Sequence, residues 1–315
     1  MGDMGTQIRR IWELAIVAGE MTLAVRNILA VLGSAFLAAC TDSAFFVANL
    51  PAAFSRVSVT RDLSYGNGPS KTLDLYIPKR VTQDPLPVII FLYGGRWTDG
   101  KKRQYAFAAN TLAQEGFFVA VPDYRKYPDV KFPVFAQDGA EAVAWVHDHI
   151  GSYGGDRGQI FLSGHSAGAH IGALIAADPK YLGAHHKSRS VITAFAGLAG
   201  PYDFVPEAED LKDMFGPPER YGEMQVPTFI DGGQPPMLLL HGRKDDTVRL
   251  YNLERLAGAI NAKGGYVETR IYPKVDHIQI VGALTVFWRY KAPVKDDLVG
   301  FFRAQSKLRL SRSMD

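Results

Sequence analysis

The sequence predicts an α/β fold, with a mostly parallel central sheet, helices on both faces and no large lid domain. Three observations carry this. Short apolar runs of strand length alternate with helix-period segments through most of the chain. The pentapeptide Gly164-His165-Ser166-Ala167-Gly168 follows the apolar run 159–162 and leads into helical residues. The length of 315 residues, with 47% hydrophobic and 21% charged, is ordinary for a single α/β domain.

The elements follow in order. Residues 57–65 and 72–77 read as a leading antiparallel pair. Pro87-Val88-Ile89-Ile90-Phe91-Leu92 is a buried strand. A helix is expected over 104–114 and a strand over 117–121. Residues 135–149 predict a helix, with Ala140, Val143, Ala144 and His147 at helical spacing. The run 159–162 is the next strand, and 167–177 the helix behind it. Strands are expected at 191–198, 236–240 and 267–272. Helices are expected at 251–262 and 298–304. The polar tail from Gln305 is expected to fray. Residues 199–235 hold apolar side chains among prolines, either lining a pocket or packing a connecting loop. Ligands in such sheets bind beyond the carboxyl ends of the strands.

Chemistry concentrates at those ends. A serine between a strand and a helix sits on a sharp turn that holds Oγ out of the sheet, beside a helix N-terminus that favours negative charge. The flanking glycines leave room for that turn. A serine hydroxyl needs a positioned base. With this elbow, an acid and then a histidine follow the serine in chain order. Of 8 histidines, only His277 lies beyond the acidic candidates. The acid is best placed at Asp245, after the strand Pro236-Met237-Leu238-Leu239-Leu240 and the turn His241-Gly242. Asp246 is its rival. The strand from Val88 runs into Tyr93-Gly94-Gly95-Arg96-Trp97. There the N–H groups of Gly94 and Gly95, with that of Ala167, form a candidate oxyanion hole.

These motifs resemble the α/β-hydrolase fold over roughly residues 55 to 305. Within it the chain is similar to the carboxylesterase branch that includes hormone-sensitive-lipase-like, feruloyl-esterase-like and kynurenine-formamidase-like enzymes. Tyr93-Gly94-Gly95-Arg96-Trp97 is similar to an H-G-G-x-W loop, and Asp123-Tyr124-Arg125 with Pro128 to a D-Y-R-x-x-P segment. Tyr153-Gly154-Gly155-Asp156 precedes the elbow strand as in the family. His241-Gly242-Arg243-Lys244-Asp245-Asp246-Thr247-Val248 is similar to H-G-x-x-D-x-x-V, which supports Asp245 over Asp246. Tyr93 departs from the family's usual histidine, and its hydroxyl is expected to hold the loop in that histidine's place. Arg96 either places a cation at the pocket mouth, favouring acidic substrates, or pairs with a carboxylate such as Asp99. The second is the expectation. The resemblance implies hydrolysis of small to medium carboxylic esters without a cofactor. Formamidase or amidase action on aryl amides is the alternative.

The remaining residues narrow the reading. The net charge of +3 and the lack of a basic block or zinc-finger spacing argue against nucleic acid as a partner. His165 is expected to pack or orient beside the serine, and His170 to lie in the core. His147, His149, His185 and His186 form no recognisable metal pattern, so no metal is expected. At the N-terminus, Arg26 and Asn27 precede the apolar run 28–36, which ends in Leu37-Ala38-Ala39-Cys40. The run is short for a membrane span but suits the apolar region of a signal peptide. Leu-Ala-Ala-Cys resembles a bacterial lipobox, and Cys40 is the only cysteine. The expected organisation is a signal over 1–40 (with 1–20 an over-long start), a linker over 41–54, a hydrolase domain over 55–305 and a polar tail over 306–315. This predicts a bacterial cell-envelope lipoprotein anchored through Cys40, with a secreted or cytoplasmic protein as the alternative.

Overall fold

The computed structural model describes residues 44–79 and 84–312. The signal-like segment 1–40, with Cys40, lies outside them. Residues 44–47, the described end of a first unit that stops at Val47, are helical; the second unit begins at Ala48.

The second unit is built on one eight-stranded sheet. Its strands are β1 (Ser58–Ser64), β2 (Thr72–Ile77), β3 (Leu86–Leu92), β4 (Phe118–Pro122), β5 (Gly155–His165), β6 (Ile192–Leu198), β7 (Met237–Gly242) and β8 (Val267–Tyr272). They lie in the order β1-β2-β4-β3-β5-β6-β7-β8. The first pair is antiparallel, as is β2 with β4. The other neighbours are parallel. β4, β6 and β7 are buried at every residue, so both faces of the sheet centre are covered. That explains their continuous apolar runs. β1 and β8, at the two edges, are exposed or half-buried at every residue except Tyr272.

The helices are α1 (Ala106–Gln114), α2 (Val134–His149), α3 (Ala167–Ala177), α4 (Pro179–Gly183), α5 (Glu209–Phe215), α6 (Tyr251–Ala262), α7 (His277–Gly282) and α8 (Val294–Arg312). All eleven residues of α3 are buried. It packs on β5 and β6 and carries the residues that follow the elbow.

Two boundaries differ from expectation. β5 begins at Gly155, before the apolar run, because Gly155 pairs with Leu86 on β3. The tail is helical through Arg312, not frayed from Gln305. Leu298, Phe301 and Phe302 bury one side of α8. Beyond them, Ser306 bonds Gln159 and Arg309 Nη1 donates to Thr193 Oγ1 at 3.1 Å. Residues 199–235 form α5 and two 3-10 turns, Pro218–Glu223 and Val226–Phe229, with no inserted domain.

Candidate active site

β5 ends at His165 and α3 begins at Ala167, which leaves Ser166 alone on the turn at φ 53° and ψ −122°. A non-glycine residue there is strained by about 1–3 kcal/mol and must be held by its surroundings. Ser166 N–H donates to Leu198 O at 2.9 Å, and Ser166 O accepts from His170 N–H at 3.0 Å. The flanking glycines allow the close approach. A Cβ on Gly168 would lie 2.1 Å from Leu92 O, and one on Gly164 would lie 2.6 Å from Gly168 C.

Two further loops converge on this serine. Gly242 ends β7 so close to the loop after β8 that a Cβ there would meet Val275 O at 2.2 Å. Lys244 N–H donates to Val275 O at 3.0 Å, tying the same loops together. Asp276 caps α7 by accepting from the N–H groups of Ile278 and Gln279 at 3.0 and 2.8 Å. His277 is thereby held at the first helical position. Its Nδ1 lies 2.7 Å from Asp245 Oδ2 and its Nε2 2.9 Å from Ser166 Oγ.

Asp245 and Asp246 separate clearly. Asp246 is exposed, whereas Asp245 is buried. Asp245 Oδ1 accepts from Thr247 N–H at 2.9 Å and Val248 N–H at 2.8 Å. Burial pushes its carboxyl up, but the bond and charge of His277 and the Val248 N–H outweigh this and hold it below its ordinary value. It therefore stays ionised beside the imidazole. His241 supports the turn, with Nε2 donating to Val248 O at 2.8 Å.

The loop after β3 forms the opposite wall. Tyr93 is fully buried and stacks on Tyr124, ring centroids 4.6 Å apart. Tyr124 Oη donates to Tyr93 O at 2.8 Å, and Lys126 Nζ donates to Tyr93 Oη at 3.1 Å. The tyrosine at the family's histidine position is thus bonded at its hydroxyl, as expected. Gly95 has φ 141°, and its carbonyl accepts from Asp99 N–H at 2.8 Å and Thr98 N–H at 3.0 Å. A Cβ on Gly95 would meet Asp99 O at 2.2 Å, so the tight turn requires glycine. A Cβ on Gly94 would lie 3.1 Å from Ser166 Cβ, which places this loop against the serine. Ala167 N–H is the first amide of α3, where intrahelical partners are lacking.

Tyr105 was not singled out by its sequence context. Its hydroxyl lies 3.1 Å from His165 Nδ1 and is hydrogen-bonded by the Gly94 backbone. His165 Nε2 donates to His277 O at 3.0 Å. One chain of hydrogen bonds therefore runs from Gly94 through Tyr105 and His165 to the backbone of His277. Burial, helped by nearby His277, lowers the His165 pKa to about 3. The ring is neutral, so Nδ1 accepts from the tyrosine. Gly94, Gly95 and Ala167, the expected oxyanion trio, thus all lie beside Ser166.

The wall of residues 199–235 packs onto the oxyanion loop through Trp97. Its ring stacks on Phe204 at 5.5 Å and meets Phe215 edge-on at 4.9 Å. His170 joins this cluster at 5.3 Å from Trp97 and bonds Met224 O at 2.7 Å, a core role. Arg96 pairs with Asp210 on α5, with Nη2 3.0 Å from Oδ1, rather than with Asp99. Asp99 instead accepts from Gly100 N–H at 3.2 Å. Among the described residues, no group of three or more His, Cys, Asp or Glu is placed to hold a metal.

Known proteins share this framework. The chain is 33% identical over 252 residues to a probable isoprenylcysteine alpha-carbonyl methylesterase of Oryza sativa subsp. japonica, covering 72% of this chain and 59% of the relative. It is 29% identical over 231 residues to esterase LipC of Mycobacterium tuberculosis, covering 66% of this chain and 57% of that one. The chain thus spans somewhat more than half the length of these curated relatives. Among solved structures, a phosphonate-inhibited esterase B of Lactobacillus rhamnosis has a TM-score of 0.76 at 21% identity, covering 91% of this chain and 97% of its own. That likeness shows the α/β-hydrolase fold. The BD-FAE family model matches residues 73–259, and on that match the chain belongs to the BD-FAE family.

Proposed function

We propose that this protein is a carboxylesterase acting on small to medium carboxylic esters through Ser166, His277 and Asp245. The observation that carries the reading is the relay Asp245 Oδ2–His277 Nδ1 at 2.7 Å and His277 Nε2–Ser166 Oγ at 2.9 Å. Ser166 Oγ attacks the ester carbonyl carbon while His277 Nε2 takes its proton. Asp245 holds the imidazole in the tautomer with a proton on Nδ1 and stabilises the imidazolium. The Gly94, Gly95 and Ala167 amides are positioned to meet the oxygen that becomes negative, each donor worth about 3–4 kcal/mol in comparable sites. His277 then protonates the departing alcohol, and water, activated by the same imidazole, releases the acid.

Similarity to proteins named as esterases supports ester hydrolysis. The methyl ester in the rice relative's name specifies that protein's substrate, and only the ester class is carried over. The short 199–235 wall supports substrates of modest size. The test is turnover of p-nitrophenyl acetate, butyrate and palmitate, with N-formylkynurenine beside them. Ser166→Ala is expected to abolish ester turnover, by up to about a millionfold. Residual turnover near the parent rate would refute the assignment.

The sequence supports export with an acyl chain on Cys40. In a bacterial host, metabolic palmitate labelling is expected in the parent and absent in Cys40→Ala. Equal labelling of both would overturn this.

A further inference from the structure

We propose that the 3-10 turn Leu50–Phe54 and the turn over 286–291 together form a docking face for an anionic lipid bilayer. Residues 286–291 read Val-Phe-Trp-Arg-Tyr-Lys. Val286, Phe287, Trp288 and Tyr290 are all exposed, Tyr290 at 77%. Phe54 is exposed at 88% and Leu50 at 42%. The two turns are neighbours. Ala48, Pro51 and Ala52 wall one side of a cavity of about 100 Å³, and Val286 and Arg289 wall another.

The aromatic turn is closed by its own backbone bonds. Arg289 N–H donates to Thr285 O at 3.1 Å, Lys291 N–H to Trp288 O at 2.9 Å, and Trp288 N–H to Thr285 Oγ1 at 3.2 Å. On this turn Phe287 and Tyr290 stand exposed, while the Trp288 ring is half-covered where it lies against Gly282. Large apolar side chains displayed together mark an interaction site. Tryptophan and tyrosine beside cations are the residue types that suit a headgroup layer.

Charge selects the occupant. Among the described residues, Arg289 and Lys291 have no carboxylate within ion-pair distance, and Lys291 Nζ lies 5.5 Å from the Tyr290 ring centre. Glu115, on the wall of the same cavity, is already bound by Lys295 at 2.6 Å and by Arg303 at 3.4 Å. The face is therefore apolar and net cationic, and complements anionic headgroups. The chain outside this unit points the same way. Residues 1–47 join it at Ala48, on this face. Only seven residues separate Cys40 from Ala48, a reach of at most about 30 Å. An apolar run or acyl group at 28–40 seated in a bilayer would hold this face close to it.

The face also adjoins the site. A Cβ on Gly282, the last residue of α7, would meet Trp288 at 2.2 Å. His277 begins that helix, and Ile278 beside it is exposed. Docking here brings the serine's surroundings to the headgroup layer.

The test uses the full chain carrying Cys40→Ser, so that no acyl chain contributes. It is mixed with phosphatidylcholine vesicles, alone or with about one third phosphatidylglycerol. Vesicles with brominated acyl chains quench tryptophans that reach the bilayer. We expect quenching that is mostly lost in Trp288→Phe. Arg289→Glu with Lys291→Glu should weaken partitioning into anionic vesicles at least about thirtyfold, at roughly 1 kcal/mol for each cation removed. Phe287→Ser with Tyr290→Ser should weaken partitioning into both vesicle types. Phe287, Arg289 and Tyr290 are exposed and Lys291 is half-buried, so melting temperatures are measured alongside and should stay within a few degrees of the parent. Unquenched Trp288, or charge reversal without effect, overturns the proposal and assigns any binding to residues 1–47. A dimer that these variants dissolve, with Trp288 unquenched, also overturns it and makes a second copy the partner. None of these readouts depends on catalysis.

Discussion

Lowering the pH from 8 to 5 should cost this protein about 4 kcal/mol of stability through two imidazoles alone. His165 and His170 are essentially inaccessible to solvent. Burial lowers the first from 6.5 to about 3 and the second from 6.5 to about 4. At pH 8 both are neutral, folded or unfolded, and contribute nothing. Below 6.5 the unfolded chain binds a proton at each while the folded chain refuses it. Stability is therefore fully present above 6.5 and is lost as pH falls toward 3 or 4. At pH 5 the gap is 1.5 pH units for each, or about 2 kcal/mol apiece. Asp245, whose pKa is also depressed, loses its contribution only at lower pH, below the ordinary carboxylate value of 3.8. The assay is urea unfolding at both pH values, followed by tryptophan fluorescence. The His170→Gln variant isolates one term, because an amide can still donate to Met224 O. The loss between pH 8 and 5 should shrink from about 4 to about 2 kcal/mol. An unchanged loss would mean that His170 is not held neutral by burial, and the reasoning fails.

Two further substitutions test the site itself. Asp245→Asn should lower kcat about ten-thousandfold by favouring the wrong tautomer of His277, whereas the exposed Asp246→Asn should stay within about twofold, as surface charges do; equal losses would refute the choice between them. Tyr105→Phe leaves His165 Nδ1 and the Gly94 N–H unsatisfied, at about 1–3 kcal/mol each. It should lower kcat on p-nitrophenyl acetate more than it raises KM, because the oxyanion loop loses its tie. A wild-type kcat would remove Tyr105 from the positioning network.

What the sequence revealed of the site was what one element decides by itself. Ser166 is legible because the elbow is local: a strand, two glycines and a helix within a dozen residues. His277 follows from chain order, because no other histidine comes late enough. The sheet was legible for a similar reason, since the fully buried strands announce themselves as unbroken apolar runs. Asp245 and Asp246 look alike as neighbours; in the fold, burial and the bond to His277 set Asp245 apart. The motif resemblance supplied what residue type alone could not.

What stayed hidden joins elements far apart in the chain. Tyr105 stands 60 residues from His165, and no spacing rule links them. Arg96 finds Asp210, 114 residues away, while Asp99 offered itself nearby in sequence. Proximity along the chain favoured Asp99, but the turn commits it to Gly100, and α5 brings Asp210 to the guanidinium. The tail erred in the same direction. Its polar composition suggested fraying, yet Ser306 and Arg309 reach partners on β5 and β6 that composition does not display.

Tyr93 shows how the two kinds of information combine. Its departure from the family's histidine was visible as a bare substitution, and the loop-holding role of its hydroxyl could be anticipated from its chemistry. The partner could not. Lys126 lies buried enough that desolvation lowers its pKa, so placing it there has a cost. The cost is offset by its donation to Tyr93 Oη and Tyr124 O, both at 3.1 Å, and by the two rings beneath it. A histidine in that space has no hydroxyl at the tyrosine's reach and would leave the lysine without that acceptor. The tyrosine and the lysine therefore act as a unit, and replacing either one alone should disturb the oxyanion loop more than exchanging both together.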